Sequence, residues 1–164
     1  MRKILLCAAL LGFAAASSAD SDQEMLVREA ARERLPMETL LGGRPVRAVP
    51  YGPAGACQMV GVIHLNSRMR DGGERIDNFK VCGNNIASID ELPPSLPHDR
   101  QMKEVTRMAM AGAARYGRRG ATWQGYLISS TRLGMADGRG CAQVETTVTF
   151  DGLLVAHSAG TVCP

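Results

Sequence analysis

The sequence predicts an α+β domain in which an antiparallel sheet of about five strands packs against one long amphipathic helix, preceded by an N-terminal helix. Apolar residues recur at helical spacing over about residues 98–116, and they alternate with polar residues over 141–150. Asp151-Gly152 then marks a tight turn, after which an apolar segment returns toward the C-terminus. These observations predict a helix lying on hairpins.

The first 19 residues have the features of a secretory signal peptide. Arg2 and Lys3 provide the positive start, residues 4–16 the apolar core, and residues 17–19 the small side chains that a signal peptidase reads. The apolar run is too short to cross a bilayer comfortably, so we expect no transmembrane segment after signal removal. The prediction is export, to the periplasm or out of the cell.

An N-terminal helix is predicted next. Ser21 and Glu24 have the spacing of a capping box, and Pro36 limits the helix to about Leu35. Residues 42–56 are rich in Gly and Pro and predict an extended connector with a short strand at 46–51. The predicted organisation is a signal peptide (1–19), a helix with its connector (20–56) and a disulfide-stabilised α+β region (57–164), with 20–164 forming one domain.

A hairpin is predicted from residues 57–66 and 74–82. The first segment is apolar on both faces, as expected of an inner strand, and a polar turn at 67–73 separates it from the second. A turn centred near residue 70 places Cys57 within one position of facing Cys82.

The long helix is predicted from His98 to Tyr116. Its apolar stripe consists of Met102, Val105, Ala109, Gly112, Ala113 and Tyr116. Gly117-Arg118-Arg119-Gly120 is predicted to end the helix, residues 121–133 to form one strand, and residues 134–140 to form a turn before the last hairpin.

Four cysteines remain once the signal is removed, and an even number in an exported chain predicts two disulfides. The Asp151-Gly152 turn aligns Cys141 with Val162, so Cys163 would point to the opposite face of the sheet. A β-bulge restores the alignment, and Ala159-Gly160 is a suitable place for one. The predicted pairs are Cys57–Cys82 and Cys141–Cys163.

No catalytic or cofactor motif occurs in the sequence, so we expect a protein that is not an enzyme and that needs no cofactor. No two cysteines have C-x-x-C spacing, which argues against a metal site. His64 lies in an apolar segment, His98 at a helix start and His157 in the last strand. Each is interpreted as structural, although an active site assembled from His64, His98 or His157 stays open.

Positive charge is concentrated in residues 100–139, which carry eight basic and two acidic residues. Such asymmetry marks either a solvated helix face or a surface for an anionic partner. Nucleic acid is not expected as that partner, because aromatic residues are sparse and the chain without its signal peptide is nearly neutral. The candidate partner-binding residues are Arg100, Lys103, Arg107, Arg118 and Arg119.

These observations together predict a small exported domain that binds another protein, such as one with an acidic surface. The preferred class is a periplasmic accessory subunit of an envelope assembly, for example a secretion or conjugation apparatus. The alternative is an inhibitor or immunity protein that blocks an enzyme through a protruding loop, at 67–73 or 134–140. The third interpretation is a secreted hydrolase.

Overall fold

The computed structural model describes residues 16–68, 74–91, 96–97 and 99–163. Within these residues the chain forms two helices and nine strands. The first part contains α1 (Ala16–Glu33), β1 (Met37–Leu41), β2 (Arg44–Ala54), β3 (Cys57–Arg68), β4 (Glu74–Cys82) and β5 (Asn85–Ile89). The second part contains α2 (Arg100–Tyr116), β6 (Arg118–Trp123), β7 (Tyr126–Leu133), β8 (Ala142–Phe150) and β9 (Leu153–Val162).

The strands form two antiparallel sheets, each ordered as in the chain. β1 to β5 make a five-stranded sheet, and β6 to β9 make a four-stranded sheet. The predicted α+β class and antiparallel pairing are confirmed. The prediction of one sheet against one helix was only partly right, because each sheet packs against a helix of its own.

Helix α1 covers one face of the five-stranded sheet. Leu26, Val27 and Ala30 of the helix pack on the centre of that sheet, against residues that include Val60 and Val62. The described part of the helix already includes Ala16, so Ser21 lies inside it and does not cap it as predicted. Residues 1–15, which hold most of the predicted signal peptide, lie outside the described residues.

Helix α2 covers one face of the four-stranded sheet. The Asp99 carboxylate caps its first turn by accepting a hydrogen bond from the Gln101 amide at 2.6 Å, and Gly117 ends it at φ +89°. Met102 and Ala109 are buried on the sheet as predicted. Tyr116 was predicted to be buried but is 77% exposed, because the chain turns at Gly117 and no described residue covers the last helical position.

The predicted connector at 42–56 is mostly strand, and the short strand predicted at 46–51 is confirmed as part of the longer β2. Gly42 and Gly43 adopt φ values of +55° and +78°, which only glycine reaches without strain, and they join β1 to β2 in a two-residue hairpin. Strand β2 then pairs with β3, so β3 is the inner strand that its apolar sequence predicted. β4 has the predicted bounds, whereas β1 and β5 were not predicted.

The predicted single strand at 121–133 is two strands. Gln124 and Gly125 have φ values of +45° and +85° and form the turn between β6 and β7. Arg118 and Arg119, which were predicted to end α2, instead begin β6. The Asp151-Gly152 turn is present where it was predicted, between β8 and β9.

Both predicted disulfides are present. Cys57–Cys82 joins the ends of β3 and β4, and Cys141–Cys163 joins the open end of the β8–β9 hairpin. The bulge predicted from side-chain parity exists, but its position was wrong. Thr149 pairs with Leu154 and Val148 pairs with Ala156, so Val155 is the extra residue.

The two sheets pack on each other through the faces that the helices leave uncovered. Val49 and Ile63 of the five-stranded sheet contact Leu154 of β9, and the missing side chain of Gly61 provides the space for Leu154. The layers are therefore α1, five-stranded sheet, four-stranded sheet and α2. In the described part of the chain, neither helix is both long enough and apolar enough to span a bilayer.

Candidate functional site

The predicted basic residues of α2 lie on its exposed side. Arg100 and Lys103 are exposed and make no ion pair with the described residues. Arg107 donates two hydrogen bonds to the Glu104 carboxylate, at 2.6 and 3.0 Å, and this interaction lowers the pKa of Glu104. The only acidic residue of α2 is thus occupied by one of its arginines, and the rest of this side stays positive.

Arg118 and Arg119 point to opposite faces of the four-stranded sheet, as neighbouring strand residues must. A Cβ atom on Gly112 would lie 2.9 Å from Arg119 Cγ, so the Arg119 side chain rests on the α2 backbone. Arg118 instead lines a cavity of about 290 Å³ between the sheets, beside Tyr51 and Glu145. Four of the five predicted residues therefore lie on the α2 side, and Arg118 does not join them.

Two large apolar side chains accompany these arginines. Met108 is 54% exposed and Tyr116 is 77% exposed. Met108, Gly112 and Tyr116 are four residues apart along the helix, so Arg119 lies between the two apolar side chains. We call this region the α2 surface; its residues are Arg100, Lys103, Arg107, Met108, Arg115, Tyr116 and Arg119.

Sequence reasoning missed Met108 and Tyr116. Tyr116 lies on the apolar stripe and was therefore predicted to be buried, and Met108 is not one of the residues predicted to form that stripe. Met108 lies three residues after Val105 and four before Gly112, at the edge of the stripe, so its spacing gave no signal that it would be exposed.

A second polar cluster joins the two sheets. Arg47 Nε and Nη2 donate to Glu145 Oε1 at 3.0 and 2.7 Å, and Arg47 Nη1 donates to Glu38. His157 Nε2 lies 3.0 Å from the same Glu145 oxygen. Glu145 and His157 are almost fully buried and Arg47 is mostly so. The cluster links β2 of one sheet to β8 and β9 of the other.

The electrostatics of this cluster favour the charged carboxylate. Burial alone would raise the pKa of Glu145, but hydrogen bonds with His157 and Arg47 outweigh it, and the pKa is lowered. Burial alone would lower the pKa of Arg47, but its hydrogen bonds with Glu145 and Glu38 raise it. Because these charges satisfy each other inside the molecule, the cluster is suited to holding the sheets together.

The histidines do not converge on one site. His64 Nε2 lies 2.6 Å from Asp77, on the face of the five-stranded sheet that α1 covers. His157 lies in the other sheet, on the face that meets the opposite side of the five-stranded sheet. His98 lies outside the described residues. The structure thus places each described histidine beside its own carboxylate.

Comparison with known proteins found no match to this chain among protein-family models, curated proteins or solved structures. The function is therefore inferred from the residues described above.

Proposed function

We propose that this chain is an exported, disulfide-stabilised domain that binds an acidic partner protein through the α2 surface. The class that fits best is an accessory subunit of an envelope assembly, such as a secretion or conjugation apparatus. The observation that carries the proposal is the exposure of Met108 and Tyr116 among basic side chains on one side of the molecule.

The composition of the α2 surface supports a protein partner. Tyrosine, methionine and arginine are enriched in protein interfaces, and tyrosine and arginine dominate binding energy where they become buried. Tyr116 and Met108 flank Arg119, whose aliphatic stem rests on Gly112. Apolar side chains therefore lie next to a guanidinium group. The arginines beside this centre, with Arg100 and Lys103 further round the exposed side of α2, complement an acidic surface and steer its approach.

Two features support the exported location. Residues 1–19 have the pattern of a signal peptide, and the chain forms two disulfides, which persist in oxidising compartments. Intact-mass measurement on protein recovered from the producing cells tests this point. We expect a chain that begins near Asp20; recovered protein that still contained Met1 would contradict export through this signal.

The binding proposal is tested by placing a photo-crosslinking amino acid at Met108 in the producing cells and identifying the captured protein. The affinity of the purified pair is then measured with Lys103→Glu/Arg107→Glu and with Tyr116→Ala. We expect the charge-reversed variant to associate more slowly, because exposed charges steer encounter. We expect Tyr116→Ala to dissociate faster, because it removes an apolar contact at the interface.

The matched control is Arg44→Glu/Lys80→Glu, which makes the same change in net charge at exposed positions of the five-stranded sheet. This control should bind as the wild type does. If all three variants bound the captured protein with the wild-type affinity and salt dependence, the α2 surface would be a solvated helix face and the proposal would be wrong.

One observation favours the inhibitor alternative. Met135 is 94% exposed in the loop at 134–140, and the Asp137 carboxylate orders this loop by accepting hydrogen bonds from the amides of Arg139 and Cys141. A rigid loop with an exposed apolar side chain suits insertion into an enzyme cleft. If the captured partner is an enzyme that this chain inhibits, Met135→Asp should abolish inhibition, while Lys103→Glu/Arg107→Glu should preserve it.

A further inference from the structure

Strand β1 forms one edge of the five-stranded sheet. Leu41 and Arg44 close the two-residue turn to β2 as a hydrogen-bonded pair. From there along the strand, non-hydrogen-bonded and hydrogen-bonded residue pairs alternate. The backbone groups of Leu40 and Glu38 therefore point away from β2. Pro45, which has no amide hydrogen, lies opposite Leu40 in agreement with this alternation.

A groove of about 330 Å³ runs between this edge and α1. Asp22, Met25, Leu26 and Glu29 line it from the helix, and residues 37–41 line it from the strand. Met25 is 63% exposed and Leu40 is 66% exposed. Outward-pointing backbone groups thus lie beside apolar side chains, which is the arrangement that sheet edges use to bind an extended segment.

The ionisable residues that line the groove are all acidic. They are Asp22 and Glu29 on α1 and Glu38 on β1, of which Glu38 is already paired with Arg47 on the other face of the sheet. A second copy of the chain docked edge to edge would bring the Asp22 and Glu29 carboxylates toward their own counterparts, and such repulsion opposes self-pairing. A segment with lysine or arginine side chains would instead face carboxylates of opposite charge. The groove therefore favours a basic occupant.

We propose that the outer edge of β1 binds an extended, basic segment of a partner protein as a sixth strand of the sheet. The backbone of that segment exchanges hydrogen bonds with Glu38 and Leu40. Every second side chain of the segment faces α1; among these, an apolar side chain packs against Met25 and basic side chains approach Asp22 and Glu29. This site lies on the first helix and sheet and has the opposite charge to the α2 surface, so it adds a second contact to the proposed function.

The test uses short random peptides displayed on phage, selected on the purified disulfide-bonded protein. We expect enriched peptides in which the residues at every second position are apolar or basic, so that one face of the added strand meets Met25, Asp22 and Glu29. An enriched peptide, made synthetically, should shift the backbone amide signals of Glu38 and Leu40 in NMR spectra. Leu40→Pro removes an outward amide donor and should weaken binding about tenfold, which is the effect of losing roughly one backbone hydrogen bond together with part of its neighbour.

A second variant tests the groove without changing the strand. Met25→Lys/Glu29→Lys replaces two helix side chains at its wall, one of them largely exposed, and should also weaken binding of the basic peptide. Lys103→Glu/Arg107→Glu on the α2 surface is the control and should bind the peptide as the wild type does. The proposal is wrong if no peptide is enriched, if the enriched peptides are acidic, or if both groove variants bind them with wild-type affinity.

Discussion

Asn78 is a buried amide at the interface between the two sheets. Its Oδ1 accepts hydrogen bonds from the Tyr51 hydroxyl at 2.9 Å and from the Leu154 amide at 3.0 Å, and its Nδ2 donates to the Leu154 carbonyl at 3.1 Å. The Asn78 side chain thus satisfies the backbone amide and carbonyl of Leu154, as the backbone of a neighbouring strand would. Burial of Tyr51 raises the pKa of its hydroxyl to about 12, so it is a neutral donor at physiological pH.

Replacing this amide should be costly. Asn78→Ala leaves the amide and carbonyl of Leu154 and the Tyr51 hydroxyl without their partner, and each buried unsatisfied group costs about 1–3 kcal/mol. We expect a loss of about 3 kcal/mol in the free energy of unfolding, measured by denaturant titration. Asn85→Ala, at an exposed position of β5, is the control. Equal stability of the two variants would show that Asn78 does not join the sheets.

Glu145 makes stability depend on acidic pH. Because its pKa is lowered in the folded protein, the stability that it contributes is present above its ordinary pKa of 4.5 and is lost as pH falls through the folded value. Glu145→Gln should lower the free energy of unfolding at pH 7 by about 2 kcal/mol. The free energy of unfolding of this variant should also decline less steeply than that of the wild type below about pH 4.5, measured by denaturant titration at several pH values.

Glu104→Gln is the control for this comparison. Glu104 also has a lowered pKa, but its pair with Arg107 is exposed and should contribute little. If the free energy of unfolding of Glu145→Gln fell with acid as steeply as that of the wild type, the buried carboxylate would not be a source of the pH dependence.

Among the elements, those with strong local signals were predicted and those with weak signals were missed. β4 and α2 follow clear apolar periodicities, and Asp151-Gly152 is a strong turn signal. The Gly42-Gly43 turn was available in the sequence but was interpreted as part of a connector. Gln124-Gly125 was not available, because glutamine rarely adopts the positive φ that this turn requires.

Helix α2 depends on its N-terminal cap. The Asp99 carboxylate accepts a hydrogen bond from the Gln101 amide, and a negative charge at this end also interacts favourably with the helix dipole. Asp99→Ala should destabilise the protein by about 1 kcal/mol, measured by thermal or denaturant unfolding. Asp99→Asn should recover most of this loss, because asparagine is an equally good cap; failure to recover it would point to a role for the charge.

At the scale of the whole molecule, local patterns could not separate the strands into two sheets. That division depends on contacts distant in sequence, such as those of Asn78 with Leu154 and of Arg47 with Glu145. For the same reason, the candidate site could be predicted only in part. Helical spacing placed Arg100, Lys103 and Arg107 on one face. Arg118 and Arg119, however, point to opposite faces of a strand that the sequence did not reveal.

The disulfides fasten hairpins in different sheets, so their effects should be nearly independent. Cys141→Ser/Cys163→Ser opens a loop between cysteines 22 residues apart and should cost about 3 kcal/mol in the chain-entropy model. Cys57→Ser/Cys82→Ser should cost a similar amount, and the two losses should add when both bridges are removed. Unfolding free energies of the three variants test this, and strong non-additivity would show that the bridges are coupled.

The extra residue in β9 has a consequence for how the gene can change in length. Val155 shifts the strand by one position, which brings Cys163 opposite Cys141 and turns His157 toward Glu145. Loss or gain of a single codon between Asp151 and His157 would reverse both orientations at once, separating the sulfurs and removing His157 from the inter-sheet cluster. Paired losses or gains would preserve both. Insertions and deletions in this segment of related genes should therefore occur in even numbers.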